Sequence, residues 1–166
     1  MNLWATSDLH VGYPENRRAV NDLHVESEDW LIIAGDTGET PAHLEFVLRT
    51  LRGRFEQLVW APGNHDLWTP KNWPADKRGV AHYERLVALC QRYGVLTPED
   101  PYARWPGPGP LRAIVPTFLL FDYSFRPDAV PPSDVAKSRS GTSPAMRSRP
   151  TRWPSQLVTT KCVPSG

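Results

Sequence analysis

Three short polar motifs carry side chains that can hold metal ions and move protons: Asp8-Leu9-His10, Gly35-Asp36 and Gly63-Asn64-His65-Asp66. An Asp and a His two residues apart at a strand end can both reach one ion, and an Asp on the next strand can bridge that ion to a second. An Asn on the third strand adds a neutral oxygen to the second ion. Carboxylate, imidazole and amide donors suit Mn, Fe or Zn, and no thiolate stands among them. Two such ions, about 3.5 to 4 Å apart, polarise a phosphoryl oxygen and bring a shared water near neutral pKa for in-line attack. His65, beside Asn64, would face the leaving group as a proton donor, with Asp66 fixing its tautomer and orientation.

Each motif directly follows an expected β-strand: Leu3-Trp4-Ala5, then Trp30 to Ala34, then Gln57 to Ala61. The steps from Asp8 to Asp36 and from Asp36 to Asn64 are both 28 residues. One strand–helix unit of a parallel sheet has about that length, on the order of 30 residues. The repeat therefore returns the chain to one sheet edge, where open α/β sheets place their ligands. A single Asp, Asn or Gly after a strand commonly does no more than start a turn or helix. Three motifs in register read as a site.

The segments between them have helical patterns. Helices are expected from about Asn16 to His24, from Pro41 to Gly53 behind a Thr40 cap, and from Ala81 to Tyr93. The last would bury Tyr83, Leu86, Val87 and Cys90. Two further strands are expected at Leu111 to Val115 and Thr117 to Phe121, around Pro116. Alternating strands and helices followed by strands give an α/β domain. His43 and His82, near helix starts on the same side of the sheet as the motifs, read as surface or capping residues, the alternative being that they face the site. Trp68 and Trp73 read as packing for the loop from Leu67 to Gly79, the alternative being a wall for an apolar or base-like substrate group.

A chain of 166 residues accommodates one ordinary domain. Its net charge of +1 gives no overall pull toward nucleic acid or membrane. Cys90 and Cys162 have neither disulfide nor zinc spacing. No charged-then-apolar leader and no membrane-length apolar run are evident, so a soluble cytoplasmic protein is expected. The character of the chain changes near Arg126. Twelve of the 18 prolines follow Asp100, and from Arg126 onward seven basic residues face only Asp128 and Asp134. Such a segment buries too little apolar surface to offset its ordering entropy, so residues 127–166 are expected to be a disordered tail behind a domain at 1–126.

Taken together, Asp8-Leu9-His10, Gly35-Asp36 with an acid at Glu39, and Gly63-Asn64-His65-Asp66 resemble the calcineurin-like metallophosphoesterase family over residues 1–126. The resemblance implies a β-sandwich flanked by helices and two divalent ions. Asp8, His10 and Asp36 would hold the first ion, and Asp36 and Asn64 the second. It further implies that His65 is the catalytic histidine, with Asp66 as its partner. The substrate would be a phosphomonoester or phosphodiester, and nucleic acid would enter only as substrate. Family members complete the site with a later histidine and a Gly-His-x-His motif, whereas this sequence has no histidine after His82. The second metal site is therefore expected to be incomplete and activity impaired. The alternative is an inactive, truncated remnant that binds at most one ion or a phosphate. The tail is read as the product of a shifted frame or early stop, which would leave apolar sheet surface uncovered.

Overall fold

The three hydrophobic runs pair as parallel strands in the computed structural model: β1 (Leu3–Thr6), β2 (Trp30–Ala34) and β3 (Gln57–Ala61). Residues 1–23, 27–118, 131 and 160–161 are described, and all but Pro131 belong to one compact unit. The strand order is β3-β2-β1, with Trp30 opposite Leu3 on one side and Gln57 on the other. Leu96 bridges to Val59 in parallel and extends the sheet beyond β3.

Helices fill the crossovers. Helix α1 (Pro14–Asn21) begins two residues earlier than its apolar pattern suggests, because Pro14 is preset for the first helical turn. The expected end at His24 lies outside the described residues. Helix α2 (Pro41–Leu51) starts at Thr40, whose hydroxyl accepts the His43 N–H at 3.3 Å. Helix α3 is Val80–Arg92, and Gly94 follows it at φ 64°. The helices pack side by side, α1 on α2 and α2 on α3.

Strand alternation sorts the core into two layers. Leu31, Ile33, Leu58 and Trp60 face the helices, packing with Val20, Leu44, Val47, Leu48, Leu86 and Cys90. Burial raises the Cys90 thiol pKa, consistent with a core residue rather than a reactive one. Leu3, Trp30 and Val59 face the other way and meet Trp105. Trp105 belongs to a second sheet, in which β4 (Ala103–Trp105) runs antiparallel to β5 (Arg112–Ile114). This pair gives the fold its second sheet layer and covers part of the surface expected to be left bare. The sequence reading missed β4, because three residues between prolines carry no periodic signal. Strand β5 falls within the expected 111–115, but Thr117 and Phe118 do not continue as a strand. The rest of that expected strand lies outside the described residues.

Thr160 and Lys161 form β6, antiparallel to β1 with Lys161 opposite Trp4. Two residues of the expected tail thus pair with the main sheet. Pro131 apart, the remainder of 127–166 lies outside the described residues. Among the described residues, no helix is long and apolar enough to cross a membrane.

Candidate metal centre

The sheet's carboxyl edge is built by loops that continue the strand pairing. Beyond β1 and β2, Asp8 N–H donates to the Gly35 carbonyl at 3.2 Å, His10 N–H to Asp36 at 3.0 Å and Val11 N–H to Thr37 at 2.9 Å. This ladder twists sharply, placing Asp8, His10 and Asp36 at φ values of 55°, 39° and 52°. Asp and His enter the left-handed region more readily than most residues, although a non-glycine residue there still costs about 1–2 kcal/mol. All three strained residues belong to the expected ligand set.

The strain brings their side chains together. One ligand atom from each of Asp8, His10 and Asp36 lies within 4.8 Å of the others, and His10 Nε2 is 3.9 Å from Asp8 Oδ1. Two ligands about 2.1 Å from one ion can be at most about 4.2 Å apart, so little closure is needed to hold a cation. Among the described residues, no Lys or Arg pairs with either carboxylate. Two adjacent carboxylates and an imidazole, with no Lys or Arg partner among the described residues, fit a divalent ion of the Mn, Fe or Zn type.

Asp36 also reaches the third loop: its Oδ1 accepts the His65 backbone N–H at 2.9 Å. The two loops touch so closely that a Cβ on Gly63 would collide with the Asp36 carboxylate, and one on Gly35 with the Gly63 backbone. Gly35 is additionally at φ 79°. Asn64 stands exposed in the same turn, between Gly63 and His65.

The His65 ring lies edge-on to His10, with centroids 4.9 Å apart. Its expected partner, Asp66, is engaged elsewhere. Asp66 is buried, and its Oδ1 accepts from the Thr37 N–H at 3.0 Å and from the Thr37 hydroxyl. Its Oδ2 accepts from the Gly63 N–H at 2.9 Å. Burial raises the Asp66 pKa, against the opposing effect of the Thr37 and Gly63 hydrogen bonds. With three donors on its carboxylate, Asp66 clamps the second loop to the third. The carboxylate beside the ring is Glu39, with Oε1 3.5 Å from His65 Nδ1.

Two further histidines brace the loops. His43 packs its ring where Cβ atoms on Gly12 and Gly38 would sit, and its Nδ1 accepts the Glu39 N–H at 3.2 Å. Burial and the Arg17 charge lower its pKa, while Glu39 opposes them. His82 is fully buried, not at the surface, and its Nε2 lies 3.0 Å from the Asp66 carbonyl. It precedes Leu86 by four residues and Leu89 by seven, a spacing that marks the apolar face of α3. That spacing was the available signal.

This sheet with its carboxylate–imidazole centre belongs to a known class: the chain is a member of the calcineurin-like phosphoesterase family, whose profile matches residues 1–121. It is 46% identical over 127 residues to the [acyl-carrier-protein] phosphodiesterase PptH of Mycobacterium tuberculosis (strain ATCC 25618 / H37Rv), a match covering 76% of this chain and 39% of that protein. The crystal structure of phosphopantetheinyl hydrolase (PptH) from Mycobacterium tuberculosis superimposes with a TM-score of 0.75 at 39% identity, covering 92% of this chain and 56% of the other. The chain thus spans well under two thirds of the relative it matches.

Proposed function

We propose that this chain is a metal-dependent hydrolase of phosphodiesters, acting on a phosphopantetheinyl ester of an acyl carrier protein. Asp8, His10 and Asp36 would hold one divalent ion, and Asp36 and Asn64 would face a second. One observation carries the reading: Asp36 stands in the ligand group and also holds the backbone of His65. The names of the relative supply the substrate class. A bound divalent ion supplies Lewis-acid polarisation of a phosphoryl oxygen.

The chain's own residues provide the rest. Glu39 faces His65 from the Nδ1 side. Among the described residues no hydrogen bond engages Nε2, which leaves that nitrogen to exchange a proton with the departing ester oxygen. Asp66, Thr37 and His82 keep the loop carrying Asn64 and His65 in register with the loop carrying Asp36. Preorganisation of this kind lets donors act without rearrangement at the moment of reaction.

The test is turnover of bis(p-nitrophenyl) phosphate against p-nitrophenyl phosphate by purified chain with Mn²⁺, together with a metal count. The expected result is preference for the diester, abolished by chelation and by His65→Ala. A second reading, a one-ion binder without turnover, is favoured by one feature: among the described residues Asp8, His10 and Asp36 are the group placed to hold an ion. One ion per chain with no hydrolysis of either ester would establish it instead.

A further inference from the structure

The tryptophans of the expected loop wall part company. Trp73 is half-buried, with its ring edge-on to buried His82 at 5.7 Å, and is a packing residue. Trp68 is 51% exposed, whereas Trp30, Trp60 and Trp105 are buried. The Trp68 backbone N–H donates to the His65 carbonyl at 3.3 Å, closing a turn that folds the indole back onto the imidazole. The two ring centroids are 4.0 Å apart, with planes inclined at 38°. A graded row of rings therefore runs from the metal-ligating group outward: His10, His65, then Trp68 at the solvent. Half of a large amphipathic ring in water contributes little to the core, yet it offers stacking area beside the proton-donating histidine.

A phosphodiester with its phosphorus at the Asp8–His10–Asp36 group and its leaving oxygen at His65 must send the leaving arm past this indole. We propose that Trp68 is a specificity-determining residue: it stacks on the organic leaving arm and favours planar or amide-bearing arms over small alkyl groups. The inference rests on the hydrolase reading, because the direction of the arm follows from the role of His65. Aryl and amide planes stack on indole, while a methyl group covers little of it.

Calorimetric binding of phenylphosphonate and methylphosphonate to the Mn²⁺-loaded full chain tests this without requiring turnover. The expected result is about tenfold tighter binding of phenylphosphonate, a preference lost in Trp68→Ala and retained in Trp68→Phe. Tyr102→Ala removes another exposed aromatic, 61% exposed, and is expected to keep the preference. Metal and both phosphonates binding with no Trp68-dependent preference would overturn the inference while sparing the hydrolase reading. Failure of wild type to bind either phosphonate would overturn both.

Discussion

Asp36 Oδ1 accepts the backbone N–H of His65 at 2.9 Å, across 29 residues of sequence. One carboxylate thereby belongs to the candidate metal-ligating group and also sets the position of the histidine proposed to move the proton. Candidate ligand and proposed proton donor are linked through a single side chain whose backbone is itself strained, at φ 52°.

Replacing that carboxylate removes both functions. Asp36→Ala is expected to weaken Mn²⁺ binding at least about 100-fold, beyond the 10- to 100-fold typical of residues that only support a ligand. Metal analysis after dialysis reads the outcome directly. Metal retention equal to wild type would show that Asp36 is not a ligand.

Gly63 is required for space. A Cβ there meets the Asp36 carboxylate and its backbone N, so Gly63→Ala must push the third loop away from the second. Overpacking of this sort costs about 1–3 kcal/mol. A lower urea midpoint, with weaker metal binding, is the expected outcome. An unchanged midpoint would mean the loops separate freely.

Glu39 is exposed and 3.5 Å from His65 Nδ1, so its removal leaves the core intact. Glu39→Gln is expected to lower kcat about 10- to 100-fold, the range typical of a group that orients a functional side chain from behind, with metal content retained. A parallel loss of bound metal would assign Glu39 to the ion rather than to the histidine.

Asp29 anchors the opposite end of the sheet, accepting from the Asn2 N–H at 2.5 Å and from Trp4 Nε1 at 2.7 Å. Burial alone would raise its pKa, but the Trp4 and Asn2 hydrogen bonds and the N-terminal charge together hold it below the ordinary value. A depressed folded pKa means the stabilisation is complete above the ordinary Asp pKa of about 3.9 and is lost as pH falls through the folded value. Asp29→Asn is expected to lower stability by about 1–3 kcal/mol at neutral pH and to flatten the acid-side decline. Urea titrations at pH 7 and pH 3 compare the two, and matching pH dependence in variant and wild type would contradict the expectation.

Local information made much of the fold legible. Trp30–Ala34 and Gln57–Ala61 match their expected bounds, because dense apolar runs ended by Gly or Pro specify buried strands by themselves. Thr40 with Pro41 announced α2 in the same way. The convergence of Asp8, His10 and Asp36 followed from the equal spacing of the motifs, since a parallel repeat returns each loop to one edge.

What tertiary structure alone decided is which groups pair across that edge. Asp66 adjoins His65 in sequence, yet Thr37 and Gly63 take its carboxylate, and Glu39 faces the ring from another loop. Buried His82 holds the Asp66 carbonyl from α3, and Trp105 of the unforeseen β4 covers the second face of the sheet. Spacing and periodicity govern where backbone goes because they act along the chain. Hydrogen-bond partners are chosen by competition among donors and acceptors brought together only after the chain has folded, and that competition leaves no local trace.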